Sequence, residues 1–164
     1  MPGSEMPFNV VDEIALARIT SLSGDRVEAA RLYRKAIRTA KNKGAIEDIA
    51  SCLLEYCVYH LEGGNIRSVV CRLHELQSLF PEASIDYRLL WCMLETAGIH
   101  RTIDSYSEAH RIAHEVLERS RQEQFYDIQI LSLELLADLK MDAGDFNSAL
   151  LLLSQCTALV ESRY

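Results

Sequence analysis

Residues that cap helix N-termini recur every 40 positions in this chain, as Asp25, Asn65, Ser105 and Asp145. Each of these residue types can accept a hydrogen bond from a backbone N–H group in the first turn of a helix. A fixed period of this length is typical of repeat proteins, in which each unit packs mainly on its neighbours. Such proteins usually act by presenting a surface, so a catalytic centre needs separate support.

The columns around each cap predict a pair of helices in every repeat. Positions four, eight and eleven after the cap share one helical stripe, and most of them are small or apolar. Small residues also stand eight positions before the cap, where they let two helix backbones approach closely. The residues eight before and four after the caps are Ala17 and Ala29, Cys57 and Val69, Ala97 and Ala109, and Ala137 and Ala149.

Eight helices follow from these columns and from the turn signals between them. They are predicted at residues 9–23, 25–43, 46–62, 65–80, 84–99, 105–121, 124–143 and 145–162. Gly44 predicts the end of the second helix and Pro81 the end of the fourth, while Ser84 predicts a cap on the fifth. Residues 99–104 are predicted to form the least typical turn.

These motifs resemble those of the tetratricopeptide-repeat (TPR) family, whose unit is a helix–turn–helix. The family's Gly-Asp-aromatic turn is matched by Gly24-Asp25, Gly64-Asn65-Ile66 and Gly144-Asp145-Phe146, and without glycine by Asp104-Ser105-Tyr106. The twelve-residue spacing of the paired small residues matches as well. The resemblance covers residues 9–162, nearly the whole chain.

The chain departs from the family in its repeat length. Its period is 40 residues, whereas the usual period is about 34, and the proline that normally closes each unit occurs only as Pro81. Lengthened repeats of this kind are similar to those of kinesin light chains, of the maltose-regulon activator class and of a subunit of the anaphase-promoting complex.

The resemblance implies an all-α fold of four antiparallel helix pairs in a right-handed TPR-like α-solenoid. Residues 1–8 are predicted to be a flexible N-terminal tail, and residues 9–164 a single helical-repeat domain. The repeats are expected near 9–44, 45–83, 84–123 and 124–162.

Composition predicts an ordered globular chain without a membrane span. Hydrophobic residues make up 49%, and no apolar run approaches the roughly 18 residues that a transmembrane helix needs. The first residues carry no signal-peptide pattern. The odd number of cysteines predicts free, buried thiols in a reducing compartment, either cytoplasmic or nuclear. These cysteines are Cys52, Cys57, Cys71, Cys92 and Cys156.

Charge is distributed unevenly, although the net value is −7. Residues 1–44 hold 8 basic and 5 acidic groups, and the basic ones concentrate on the predicted second helix. The second-helix cations are Arg26, Arg31, Arg34, Lys35, Arg38, Lys41 and Lys43. They are interpreted either as a solvated helix face or as a docking strip for an acidic partner or a phosphate backbone. The acidic whole and the lack of interleaved aromatic residues disfavour nucleic-acid binding.

No motif in the chain predicts catalysis or a cofactor. The sequence has no Gly-x-Ser-x-Gly nucleophile turn, no phosphate-binding loop and no dinucleotide fingerprint. His110 and His114 stand four residues apart on one helix, a spacing that can hold a metal, but the run between them is Arg-Ile-Ala. The chain is therefore predicted to be non-enzymatic, with no cofactor and no metal site.

In TPR arrays the first helix of each pair lines a concave groove that binds peptides. The family's groove columns carry over to Val11, Ile14, Arg18, Leu54, Val58, Trp91, Leu94, Leu131, Glu134 and Asp138. Trp91 would anchor the apolar middle of this groove, although it could equally be a core residue between repeats. The groove lacks the Lys/Asn/Arg clamp of carboxylate-binding relatives, which disfavours a chaperone-tail adaptor.

The predicted last helix is apolar on nearly every face. Leu150, Leu151, Leu153, Leu159 and Val160 are predicted to form a C-terminal apolar interface. Bare leucines are costly, since burying one is worth roughly 1.5–3 kcal/mol. The interface is expected to be covered by a homodimer, by continuation of the array in a longer protein or by a partner.

The leading functional prediction is a protein–protein interaction module or scaffold, part of a larger protein or assembly. The alternative is a ligand- or peptide-sensing regulatory domain that controls an attached effector. A third hypothesis is an enzyme accessory factor that docks on an acidic surface through the basic second helix.

Overall fold

The computed structural model of the protein describes residues 9–82 and 87–163. Within these residues the chain is all-α, with eight α-helices and a short 3-10 helix at Phe80–Glu82. The helices are α1 (Val10–Leu22), α2 (Arg26–Lys43), α3 (Ile46–Glu62), α4 (Ile66–Gln77), α5 (Tyr87–Thr102), α6 (Tyr106–Gln122), α7 (Tyr126–Asp142) and α8 (Phe146–Glu161). The predicted fold class is confirmed.

The helices form two compact units, one within residues 1–83 and the other within residues 84–164. In the first unit α1 packs on α2 and α3 packs on α4, while α3 also contacts α1 and α2. In the second unit α5 packs on α6 and α7 packs on α8, while α7 also contacts α5 and α6. The single domain and the repeat boundaries stay predictions, and the predicted tail of residues 1–8 lies outside the described residues.

The small-residue columns lie inside the helix pairs, as predicted. All eight are buried, from Ala17 and Ala29 in the first pair to Ala137 and Ala149 in the last. Small side chains permit a short distance between helix axes, so larger neighbours such as Leu53 and Leu136 can close around the crossing without voids.

Three of the four predicted caps form hydrogen bonds. The Asp25, Asn65 and Asp145 side chains accept from the backbone N–H groups three residues later, at 3.0, 3.2 and 3.2 Å. The prediction is wrong for Ser105, whose side chain makes no cap hydrogen bond. Its carbonyl still accepts from Ala109 N–H at 3.1 Å, so the helix begins in register without the side-chain cap.

Residues with the left-handed backbone conformation (positive φ) stand in the turns between helices and recur every 20 positions, whereas the caps recur every 40. Gly24, Gly64 and Gly144 have positive φ, and in the third repeat Asp104 takes this conformation with φ 59°. The turns from α2 to α3 and from α6 to α7 use Gly44 and Gln124, with φ 73° and 58°. Position 84, together with its predicted Ser84 cap, lies outside the described residues.

Two predicted helix ends are wrong. Helix α4 ends at Gln77 instead of residue 80, because the chain turns into the 3-10 segment that buries Phe80. Helix α5 runs on to Thr102, three residues past its predicted end, because Ile99 and His100 are buried on its packed side. The turn predicted at residues 99–104 is therefore shorter.

We expect Gln124→Gly to stabilise the protein by about 0.5–1 kcal/mol, since glycine adopts positive φ without the steric cost that other residues bear. Gly44→Gln is the mirror experiment and should destabilise by a similar amount; a Cβ at this glycine meets no atom within 4 Å, so only the backbone conformation is tested. Urea denaturation followed by circular dichroism measures both. A loss of stability in Gln124→Gly would contradict the backbone argument.

We expect Ala97→Leu to destabilise the protein by about 1–3 kcal/mol, because the added carbons must push apart two closely packed helices. The neighbouring Gly98→Ala is the control. A Cβ there meets nothing within 4 Å, and alanine favours the helix by about 0.5–1 kcal/mol. Equal stability of Ala97→Leu and the wild type would show that the close helix approach is not limiting.

Candidate functional site

The predicted groove residues of the first unit lie on α1 and α3. Val11 is 56% exposed, Val58 is exposed and Ile14 is half-buried. Leu54 is different, because it is buried in the unit and offers little surface to a partner. The exposed part of this α1–α3 surface is therefore a row of small branched side chains.

Arg18 is held by an ion pair and is not an unpartnered cation. Its Nε donates to Glu55 Oε2 at 3.2 Å, and its Nη2 donates to the other carboxylate oxygen. This contact raises the pKa of Arg18 above its usual range. Most of its surface remains exposed, so the pair is screened and contributes little to stability.

A cavity of about 320 Å³ lies beside this pair, and sequence reasoning missed it. Tyr33 and Tyr59 line it, with their ring centroids 5.4 Å apart. Burial, with a smaller contribution from Glu55, raises the pKa of Tyr33 to about 12. The cavity combines two tyrosine side chains with the ion pair of Arg18 and Glu55, a lining suited to a polar ligand.

The predicted groove residues of the second unit lie on α5 and α7, and Trp91 is the most prominent of them. Its side chain is 39% exposed, so it is not enclosed in the core. Together with Tyr87 and Arg88 it lines a shallow cavity of about 350 Å³. Leu94 is buried, which removes one predicted contact residue from this surface.

Polar contacts fix the α5–α7 surface around Trp91. The Tyr87 hydroxyl donates to Asp127 Oδ2 at 2.6 Å, and this hydrogen bond lowers the pKa of Asp127. Arg101 Nη1 donates to Asp138 at 2.7 Å, so Asp138 is a paired carboxylate. These contacts tie α5 to α7 at both ends of the surface.

The remaining predicted residues of this surface are on α7. Leu131 is half-buried and Glu134 is exposed. The second unit thus places an exposed tryptophan and an exposed carboxylate on its first helices, while the first unit places valines there. We call these two the first-helix surfaces.

Helix α8 exposes a continuous apolar stripe. Phe146, Leu150, Leu153 and Val160 are all exposed, and they fall on one side of the helix at spacings of four, three and seven residues. Leu151, at 63% exposed, flanks this stripe, while Leu159 is half-buried.

The stripe on α8 can be compared with the equivalent repeat positions of α2 and α6. The same columns in α2 hold Arg26 and Ala30, which are half-buried, and Tyr33 and Ala40, which are buried, in a unit where α2 packs on the next helix, α3. In α6 they hold the exposed Tyr106, the half-buried His110 and the buried Ala113 and Ser120, and α6 packs on α7. Leu153 and Val160 therefore occupy columns that are packed against the next helix in α2 and α6, but no helix covers them in the described structure.

The histidine pair does not assemble a larger ligand set. His110 and His114 lie with ring centroids 4.5 Å apart. Burial and then the charge of His114 lower the pKa of His110. Within residues 9–82 and 87–163 no group of three or more histidine, cysteine or acidic side chains is placed to hold a metal ion.

The cysteines are free thiols, and four of the five are buried as predicted. Cys71 is the exception, since it is exposed on α4, where its helix face turns away from the core. Among the described residues, no helix combines the length and the apolar character that crossing a membrane requires.

Two solved structures resemble this chain. One is a variant of a Podosopora anserina putative kinesin light chain with nearly identical TPR-like repeats; it matches with a TM-score of 0.75 and 18% sequence identity, covering 93% of this chain and 75% of that one. A second crystal structure of these repeats matches with a TM-score of 0.76 and 17% identity, covering 98% of this chain and 79% of that one.

No protein-family model matches the sequence, and no curated protein matches it. At identities below one fifth, the structural similarity establishes the fold alone. Helical-repeat folds of this type typically present extended surfaces to other proteins. The chain therefore has a TPR-like helical-repeat fold, as its turn motifs and columns predicted.

Proposed function

We propose that this chain is a non-catalytic protein–protein interaction module. It acts as a scaffold within a larger protein or assembly, and each unit presents its own first-helix surface to a partner. The observation that carries this proposal is the exposure of Trp91, the only tryptophan in the chain, on the outside of α5.

An exposed tryptophan at this position suits a binding anchor. Tryptophan and arginine are enriched among the residues that dominate interface energies, and Trp91 lies beside Arg88 in a shallow cavity. The hydrogen bond from Tyr87 to Asp127 holds the neighbouring ring, so part of this surface is ordered before a partner arrives. A peptide or a protein helix that covers Trp91 would remove its exposed area from water.

The apolar stripe of α8 supports a second contact. Because the columns of Leu153 and Val160 are buried in α2 and α6, in units where these helices pack on α3 and α7, the stripe should accept an amphipathic helix. That helix could belong to a second copy of the chain, to a continuation of the array or to a partner. We place the protein in a reducing compartment, the cytoplasm or the nucleus, since its five cysteines are free.

The cavity beside Tyr33 favours the ligand-sensing alternative. Its volume of about 320 Å³ lies near the lower end of the range for small-molecule sites. Binding there would depend on Arg18 and Glu55, whereas binding of a protein at the second unit would depend on Trp91. The two functions are therefore separable by substitution.

We expect Trp91→Ala to weaken partner binding by about tenfold or more, because truncating an anchor of this kind typically costs about 2 kcal/mol. Affinity capture with immobilised protein, followed by quantitative mass spectrometry, identifies partners that the wild type retains and the variant loses. Helicity and melting temperature should stay unchanged, since the side chain is partly exposed.

Tyr106→Ala is the matched control, since it removes another exposed aromatic side chain, on a second helix of the same unit. It should retain the partners that Trp91→Ala loses. Equal retention by both variants, or unfolding of Trp91→Ala, would contradict the proposed anchor.

We expect the protein to self-associate at high concentration. The double variant Leu150→Ser/Leu153→Ser should abolish this association, because the stripe loses its central apolar groups. Light scattering over a concentration series gives the molar mass. Val27→Ser with Val70→Ser is the control, since both valines are exposed on other second helices. A monodisperse wild-type monomer at about 1 mM, where even a Kd of that order would show association, would exclude the second copy as the occupant.

A further inference from the structure

Five arginines surround a cleft in the first unit, between α2 and α4. Helix α2 contributes Arg31, Arg34 and Arg38, and helix α4 contributes Arg67 and Arg72. The cleft consists of two adjoining cavities of about 320 and 400 Å³ that share Arg34 and Arg72. None of the described residues lining these cavities is acidic, so we call this feature the arginine cleft.

Two of these arginines already have partners at the edge of the cleft. Arg31 Nε donates to Glu28 at 2.7 Å, and Arg72 Nη1 donates to Glu75 at 2.7 Å. Lys41 also contacts Glu75, at 2.6 Å, so this carboxylate is shared between two cations. The acidic groups near the cleft therefore offset only part of its charge.

The other three arginines form no ion pair within the described part of the chain. Arg34 Nε donates to the backbone carbonyl of Ala30 at 3.1 Å, which leaves its charge uncompensated. Arg38 and Arg67 are exposed. By contrast, Lys35 on the same helix pairs with the Glu13 carboxylate at 3.3 Å. Of the predicted basic strip, Arg34 and Arg38 thus line the cleft without an ion pair among the described residues.

Two rings from α3 form the floor of the cleft. Tyr56 is 8% exposed, and its ring centroid lies 4.3 Å from that of His60. Burial, followed by the charges of Arg72 and Arg26, lowers the pKa of His60. The imidazole is therefore neutral at neutral pH and adds a hydrogen-bonding group to the cationic walls.

We propose that the arginine cleft binds a phosphorylated serine or threonine side chain of a protein partner. Guanidinium groups match the geometry of phosphate oxygens and bind them through paired hydrogen bonds. A phosphoryl group carries about −1.5 to −2 charge at neutral pH and three acceptor oxygens, so it can engage several of these arginines at once. This inference rests on the proposed function only in assuming that the phosphate group belongs to a protein partner.

Two other anionic partners fit the cleft less well. Single-stranded nucleic acid binds through stacking of bases on exposed aromatic faces, and the Tyr56 ring is buried in the floor. A bilayer presents a broad surface, whereas this site is a cleft lined by residues of neighbouring helices. Both partners are arms of the test.

The test uses the whole chain labelled with ¹³C-histidine and the probe acetyl-phosphoserine N-methylamide. Saturable shifts of the His60 signal, assigned with His60→Gln, are expected, together with a raised pKa of His60 because the bound anion offsets the arginine charge. Arg34→Gln with Arg67→Gln should raise the half-saturation concentration at least about tenfold. Neither side chain holds an ion pair, so the fold should remain intact.

Arg111→Gln with Arg121→Gln is the matched control, since it removes the same charge from surface arginines of the second unit. It should bind the probe as the wild type does. Equal loss in both pairs, or equal shifts with acetyl-serine N-methylamide, would overturn the proposal. If phosphatidylserine vesicles or a uridine oligonucleotide bound the cleft more tightly than the phosphoserine probe, the assignment of a protein partner would be wrong.

Binding of the phosphoserine probe should not depend on the first-helix surfaces. Trp91→Ala should bind the phosphoserine probe normally, since Trp91 lines no part of the arginine cleft. Loss of partner capture with intact probe binding would report on the proposed function alone. Loss of probe binding in the Arg34 and Arg67 variant alone would report on the cleft.

Discussion

The close approach of the two helices in each pair is the constraint on which the rest of the structure depends. Ala17 and Ala29 in the first pair, and Ala97 and Ala109 in the third, are fully buried where the backbones cross. Short side chains at these points let the long side chains elsewhere interlock around the crossing. The remaining long side chains, such as Trp91 and the α2 arginines, are then directed to the surface.

The turns between helices help to set this pairing. Their positive-φ residues recur every 20 positions, whereas the caps recur every 40. A residue of positive φ follows six of the eight described helices, with glycine at four of these points and Asp104 and Gln124 at the other two. Non-glycine residues pay a steric cost in this conformation, which persists because the packed helices on either side determine where the chain must reverse. The reversals thus recur at the same positions of the repeat, although the helices vary from 12 to 18 residues in length.

The two units present different chemistry on the same scaffold. The second unit carries the exposed tryptophan and the apolar stripe of α8, both suited to partners that bury apolar area. The first unit carries the arginine cleft, which is suited to an anion. A scaffold of this kind can hold one protein through apolar contacts and another through a modification that introduces charge.

The sequence by itself determined the helix pairs, the buried small columns and most of the helix bounds, because the 40-residue period repeats the same local signals. It also placed the exposed leucines of α8 and the cations of α2. Only the tertiary structure decided which charges are free. Arg18 and Asp138 were chosen as groove charges but are paired across helices, and Leu54 and Leu94 are buried. The arginine cleft joins residues of α2 and α4 separated by more than 25 positions, so no local pattern could reveal it. Side-chain pairing between helices depends on how they pack, and packing is set by the whole unit.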